Sequence, residues 1–181
     1  TKLINYLARE QHVLPFRHPV ATLRISCPIF VLRQLGKHQV GFSWSEVSRR
    51  YITGEPEFWM PDKWRTRPSN IKQGSEGELE HSYQFSANVT QAGVLTQCFE
   101  GYKKLLALGV APEQARAVLP QSMYTTCAVT GTLLGWHHLY KLRTEKHTQL
   151  ETQDYAKAIG KIMGTLFPHS WGALCYHEKA I

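Results

Sequence analysis

Nowhere in the 181 residues does an apolar run approach the roughly 18 consecutive positions needed to cross a bilayer. The opening stretch, Thr1-Lys2-Leu3-Ile4-Asn5-Tyr6, has no secretion-signal layout, so a soluble, cytoplasmic protein is expected. Cysteine is sparse and scattered. Cys27, Cys98, Cys127 and Cys175 form no C-x-x-C pair and no zinc-type Cys/His spacing, which leaves four buried free thiols and no metal site as the expectation. Glycine-rich phosphate loops are missing as well: neither G-x-G-x-x-G nor G-x-x-x-x-G-K-[ST] occurs. Acid is in short supply, with 14 Asp and Glu against 21 Lys and Arg and a net charge of +7. That balance concentrates anions at the surface, whether nucleic acid, a membrane or phosphorylated small molecules.

What is present suits one α+β domain over 1–181, with 43% hydrophobic residues to fill a core. Leu3, Ile4 and Leu7 predict an opening helix that stops before Pro15, and 20–26 alternates like a strand. Pro28 fits the first turn of a helix carrying Ile29, Phe30, Val31, Leu32 and Leu35 as far as Gly36. A polar, aromatic-laced loop is expected from there through Tyr51. Prolines and glycines punctuate the stretch up to Glu78, which predicts an irregular excursion, mobile in part over 62–78, with a short strand at Phe58-Trp59-Met60.

Leu95, Cys98, Tyr102, Leu105 and Leu106 recur at helical spacing and predict one long helix burying one face before Gly109. A short helix from Pro112 to Val118, a strand or extended stretch at 123–130, a helix over 132–143 and a last helix carrying Tyr155, Ile159, Ile162, Met163 and Leu166 complete the reading, with Pro168 as its stop. Helices outnumber strands, and the strands are too dispersed for a doubly wound parallel sheet.

The densest polar segment runs from Arg33 to Tyr51. Within it, Ser48 and Arg50 suit a phosphate, through a hydroxyl and a planar guanidinium fork, while Phe42, Trp44 and Tyr51 suit stacking on a flat ring. A solvated loop with aromatic plugs accounts for the same residue types. Lys63-Trp64-Arg65-Thr66-Arg67, basic and aromatic, keeps a nucleic-acid-binding module as a reading of a different class.

The segment Lys37-His38-Gln39, eight residues, Ser48, Arg49 and Arg50-Tyr51 resembles the signature of flavin-dependent thymidylate synthases: Arg-His-Arg, seven residues, Ser, then an Arg-Tyr pair two residues on. Further pieces follow in the same order: Pro15-Phe16 with His18, Cys27-Pro28-Ile29-Phe30-Val31, Glu57-Phe58-Trp59-Met60-Pro61, Ala115-Arg116 with Val118-Leu119-Pro120, and Leu142-Arg143 with His147 and Gln149. The resemblance covers nearly the whole chain. It implies a central mixed or antiparallel sheet with flanking helices, and a homotetramer with active sites shared between subunits.

In function it implies that FAD is reduced by NADPH, and that methylenetetrahydrofolate donates a carbon to dUMP, giving dTMP. By the same resemblance Gln34, Glu46, Ser48, Arg50, Arg116 and Arg143 match dUMP-holding positions, with Arg143 activating the uracil. His12, Lys37, His38, Gln39, Ser45 and His138 match flavin-contacting positions. A guanidinium facing the N3 and O2 edge favours the ionised ring without any protein nucleophile. The chain departs from the pattern at Lys37 and Gln39, both usually Arg, and at a loop one residue longer. Leu14 stands for a usual Thr, Arg17 for a Glu, and Thr132 and Leu134 for an Asn and an Arg that hold the flavin nucleotide. In relatives the opening helix follows an N-terminal strand and a Ser-containing segment, which this sequence does not include. Such departures keep open a branch that hydroxymethylates dUMP.

Overall fold

A computed structural model describes residues 1–69 and 74–177. Helix α1 (Lys2–Arg9) and a 3-10 turn (Leu14–Arg17) lead into β1 (Val20–Pro28) and α2 (Ile29–Leu35). Strands β2 (Phe42–Glu46), β3 (Arg65–Thr66) and β4 (Glu76–Glu78) precede the long α3 (His81–Ala107). The chain finishes with α4 (Pro112–Ala115), a 3-10 turn, β5 (Tyr124–Thr132), α5 (Leu133–Arg143), α6 (Leu150–Leu166) and α7 (Pro168–Tyr176). This is an α+β fold, as expected.

The principal sheet has the order β1-β5-β2. Its sense is readable from contacts at the strand ends. The hydroxyls of Thr22 and Thr130 lie 2.8 Å apart, and those of Ser26 and Thr126 3.4 Å, so four residues up β1 are four residues down β5. On the other side Thr132 donates to the Gly41 carbonyl and Val47 to the Thr126 carbonyl, and six residues up are again six down. Both pairings are therefore antiparallel.

The chain divides into two compact units. The first comprises 1–25, 33–45 and 128–181. Its core is built by α5, which buries Leu133, Leu134, Trp136 and Leu139, and by Ala156, Ile159 and Met163 of α6 and Trp171 of α7. Each such large side chain removed from water contributes about 1.5–3 kcal/mol before the entropy of ordering is subtracted. Thr132 starts α5 by accepting from the Gly135 N–H at 3.0 Å. Only glycine lets α6 cross α5 where it does, because a methyl at Gly160 would enter the Tyr140 ring.

The second unit comprises 26–32 and 46–127. Within it Phe30 packs edge-on against Trp59, 5.1 Å between ring centres, and Phe58 pairs antiparallel with Met123. Helix α3 ends in left-handed Gly109, φ 83°, as its sequence predicts.

Several expectations are corrected. The loop expected through Tyr51 contains β2, whose Phe42 and Trp44 alternate with serines and are half-buried. The strand at Phe58-Trp59-Met60 is a single bridge residue, and the irregular excursion holds the antiparallel β3–β4 ladder, with Arg65 opposite Glu78. Residues 70–73 of that excursion lie outside the described residues. On α3 the expected face is only half-buried apart from Tyr102, and Tyr83, Phe85, Val89 and Val94 are exposed. Ile162 and Leu166 of the α6 stripe are also exposed. Pro28 closes β1 instead of entering α2, and Pro168 opens α7, a helix the sequence reading did not include. Cys27 and Cys127 are buried, whereas Cys98 and Cys175 are half-buried, and all four are free thiols.

Candidate functional site

In the first unit the C-terminal ends of two helices are tied together by one arginine. Arg143, the last residue of α5, donates from Nη2 to the Gln34 carbonyl in the last turn of α2 at 2.9 Å. Carbonyls at a helix C-terminus lack intrahelical partners and carry partial negative charge, so a cation is favoured there. From Nε, Arg143 donates to His38 Nε2 at 3.1 Å. The imidazole is therefore neutral, with its proton on Nδ1. Burial, then the Arg143 cation, then His138 push the His38 pKa down to about 4, in agreement with that acceptor role. The backbone of His38 is held too, because Trp44 Nε1 donates to its carbonyl at 3.1 Å.

A side-chain relay runs beside this pair. Gln34 Nε2 donates to Gln149 Oε1 at 2.5 Å, and Gln149 Nε2 donates to Glu151 Oε2 at 2.9 Å. Gln149 caps α6 and Glu151 lies in its first turn. Five polar side chains from α2, the following turn, α5 and the start of α6 thus form one half-buried group.

Next to it, a cavity of about 270 Å³ is lined by Arg17, Val40, Gly41, Thr132, Leu134, Gly135 and His138. Gly41 sits at φ 80°, and a methyl there would fall 2.7 Å from Thr132 Oγ1. Burial, Lys141 and Arg17 lower the His138 pKa, so the wall is cationic without a protonated imidazole. Ligand sites span roughly 300–1,000 Å³, so this cavity suits one section of a dinucleotide. An apolar floor, an arginine and an imidazole fit a cofactor that is partly planar and partly phosphate. Three of the departures from the family pattern, Arg17, Thr132 and Leu134, all line this cavity.

In the second unit Ser48 and Arg50 are joined in a turn. Ser48 Oγ accepts from the Arg50 backbone N–H at 3.3 Å and from its Nε at 3.1 Å, and the Arg50 guanidinium lies 5.1 Å from the Tyr51 ring centre. Glu46 Oε1 accepts from Thr125 at 2.8 Å. Burial pushes the Cys27 thiol up to about 12, with Cys127 and Glu46 adding to the effect, so it stays protonated.

The structure thus brings Gln34, His38 and Arg143 together, sets His138 on the cavity wall, and joins Ser48 to Arg50. Arg116, which opens the 3-10 turn after α4, instead donates to the Glu113 carbonyl of α4 at 3.2 Å. Gln39 folds back onto the Gly36 carbonyl, His12 lies edge-on to Tyr6 at 6.0 Å, and Lys37 and Ser45 are exposed. Phe42, expected to stack on a ligand, packs against Trp136 at 4.8 Å. The sequence reading missed Gln149 and Glu151 as members of the site; the signal was their polar character directly at a helix start. In the Lys63–Arg67 stretch, Lys63 pairs with Glu78, Trp64 Nε1 donates to Asn88 and Arg65 donates to Ser75, so these groups serve the unit itself.

The fold is antiparallel α+β, with an arginine and an imidazole on the cavity wall of the first unit and a serine–arginine turn in the second. The model of one family, "Thymidylate synthase complementing protein" (Thy1), matches residues 1–169. The chain is 36% identical over 172 residues to the flavin-dependent thymidylate synthase of Kosmotoga olearia, covering 95% of this chain and 74% of that protein. It is also 36% identical over 177 residues to the enzyme of that name from Thermus thermophilus, covering 97% of this chain and 63% of that one. Among solved structures, the UMP/dUMP methylase PolB from Streptomyces cacaoi bound with 5-Br UMP matches with a TM-score of 0.89 at 28% identity, covering 97% of this chain and 82% of that one. The same methylase bound with 5-Br dUMP matches with a TM-score of 0.86 at 29% identity, covering 97% and 78%. The chain belongs to the Thy1 family, and the relatives from Kosmotoga olearia and Thermus thermophilus are flavin-dependent thymidylate synthases. Among the described residues, no helix is long and apolar enough to cross a membrane.

Proposed function

We propose that this chain is an FAD-dependent thymidylate synthase, transferring a one-carbon unit from methylenetetrahydrofolate to dUMP to give dTMP, with NADPH reducing the flavin. The observation that carries the reading is the Arg143 guanidinium, pinned through Nε by His38 and through Nη2 by the Gln34 carbonyl. The printed names of the relatives support the reaction, and the 5-Br dUMP bound to PolB supports the substrate class.

When bound, FAD supplies the reducing equivalents that turn the transferred carbon into a methyl group. His12, Lys37, His38, Gln39, Ser45 and His138 are proposed to hold it, together with the cavity that includes Arg17 and Gly41. Ser48, Arg50 and Arg116 take the nucleotide phosphate, and Glu46 and Gln34 orient the rest. Arg143 is the catalytic residue: its fixed cation stabilises negative charge on the pyrimidine as C5 becomes nucleophilic, and no reorganisation is needed at that moment. Protonated Cys27 offers no thiolate for the alternative route through a covalent adduct. The exposed Tyr83, Phe85, Val89 and Val94 of α3 support self-association, which we propose ends in a homotetramer with shared sites.

Lys37 and Gln39, which present less charge than the family signature, support a second reading in which the same chain hydroxymethylates dUMP. Incubation with dUMP, methylenetetrahydrofolate, FAD and NADPH, followed by mass spectrometry of the nucleotide, tests both. A product heavier by a methylene is expected, an added hydroxymethyl mass favours the second reading, and recovery of unchanged dUMP rejects both.

A further inference from the structure

The cavity of the first unit carries a permanent cation and no acid. Arg17 ends the 3-10 turn Leu14–Arg17, in which Phe16 is buried and its N–H donates to the Val13 carbonyl at 3.0 Å. Pro15 stiffens the same turn. The Leu133 N–H donates to the Pro19 carbonyl at 2.8 Å, which ties the exit of the turn to the start of α5. The backbone under Arg17 is thus fixed, while its side chain is exposed and lines the cavity. Its charge is felt by the opposite wall, because it helps to keep His138 unprotonated. The lining residues include no carboxylate, so nothing on this wall offsets a guanidinium that is always charged.

The complement of such a wall is an anion. The remaining lining at Val40, Gly41, Leu134 and Gly135 is apolar surface that a bare anion would not need. A molecule that joins phosphate to an apolar ring system meets both halves. The start of α5 has little to offer the phosphate, since the Leu133 amide is spent on Pro19 and the Gly135 amide on Thr132 Oγ1. We infer that Arg17 is a specificity-determining residue for the cofactor, pairing with the pyrophosphate of FAD and so selecting it over a flavin without phosphate. This rests on the FAD reading above. A planar fork with two parallel N–H donors matches the oxygens of a phosphate, which a single ammonium does not. The family pattern has an acid at this position, so the contact belongs to this chain and not to the signature.

Arg17→Gln keeps a donor and removes the charge, and Arg17→Lys keeps the charge without the fork. Equilibrium dialysis read by flavin absorbance gives dissociation constants for FAD and for riboflavin, which has the same ring and no phosphate. We expect Arg17→Gln to weaken FAD at least about fivefold, to leave riboflavin within about twofold of wild type, and Arg17→Lys to keep much of the FAD affinity. Raising salt from about 0.02 M to about 0.5 M should weaken FAD binding in wild type and weaken it less in Arg17→Gln, since an exposed ion contact is screened. Where riboflavin binds too weakly to read, that salt response decides alone. A folded Arg17→Gln protein, checked by its Tm, that binds FAD with wild-type affinity and salt response overturns the inference and leaves the FAD reading standing. An equal loss of FAD and riboflavin also overturns it, by setting Arg17 against the ring. Wild type that binds no FAD overturns both.

Discussion

The two arginines proposed to matter most differ in how they are held. Arg143 in the first unit is half-buried, and its partners are more than 100 residues away in sequence. Arg50 in the second unit is exposed and rests on a serine two residues back. The first is positioned by tertiary packing and the second by a local turn. A buried, cross-linked cation suits a step in which charge develops at a fixed point, whereas an exposed fork on a turn suits capture of a phosphate that arrives with its own charge. The comparison makes the first arginine a matter of rate and the second a matter of affinity.

The largest effect should follow from Arg143→Ala, with kcat reduced at least about 10²–10³-fold, as when one aimed donor is lost from a preorganised site. Flavin absorbance of the loaded protein should stay close to wild type, and Arg143→Lys should rescue little, because an ammonium cannot reach two separated acceptors at once. Near-normal turnover in Arg143→Ala would erase the contrast. Ser48→Ala and Arg50→Ala should instead raise KM for dUMP by about 10–100-fold with a smaller change in kcat, equivalent to about 1.4–2.7 kcal/mol of ground-state binding. Equal losses in kcat and kcat/KM would place Arg50 with Arg143.

The scaffolds should diverge as well. Gly160→Ala in the first unit should lower stability by about 1–3 kcal/mol, read as a fall in Tm, because the methyl meets the Tyr140 ring. Gly101→Ala on α3 has nothing within 4 Å of the new methyl and should stabilise by about 0.5–1 kcal/mol.

The smallest effect concerns pH. The folded state holds His38 at about 4 against an ordinary 6.5, so the unfolded chain binds a proton first as the medium is acidified. Stability should therefore fall as pH drops from about 6.5 toward 4 and level off below, with solvent screening of this half-exposed ring keeping the slope shallow. Denaturant melts of His38→Gln across that range should be flatter than wild type, and an unchanged slope would remove His38 as its source.

Much of the first unit was legible because helices announce themselves over many residues. α1, α5 and α6 follow from apolar spacing and from the threonine that caps α5. β2 was missed although Phe42 and Trp44 alternate with Ser43 and Ser45, since five residues rich in hydroxyls read equally as loop. α7 was missed because a proline marks either end of a helix, and only tertiary packing of Trp171 decides which. Within the site, Gln34, His38 and Arg143 were each legible by resemblance, yet Gln34 and Arg143 were assigned to one ligand and His38 to another. Their meeting is a tertiary fact no local pattern encodes. The fold-back of Gln39 and the turning of Arg116 onto Glu113 were illegible for the same reason, as side-chain direction depends on neighbours.

The first unit is drawn from three stretches of chain and the second from two, five in all and joined by four passages, of which β1, α2, β2 and β5 each carry one. A gene for this protein therefore has no seam. No single recombination breakpoint separates the two units, so neither could be inherited whole and alone as a cassette. A chimera would have to exchange at least the continuous block 46–127 through two breakpoints, both inside strands, at Ser45/Glu46 and at Cys127/Ala128.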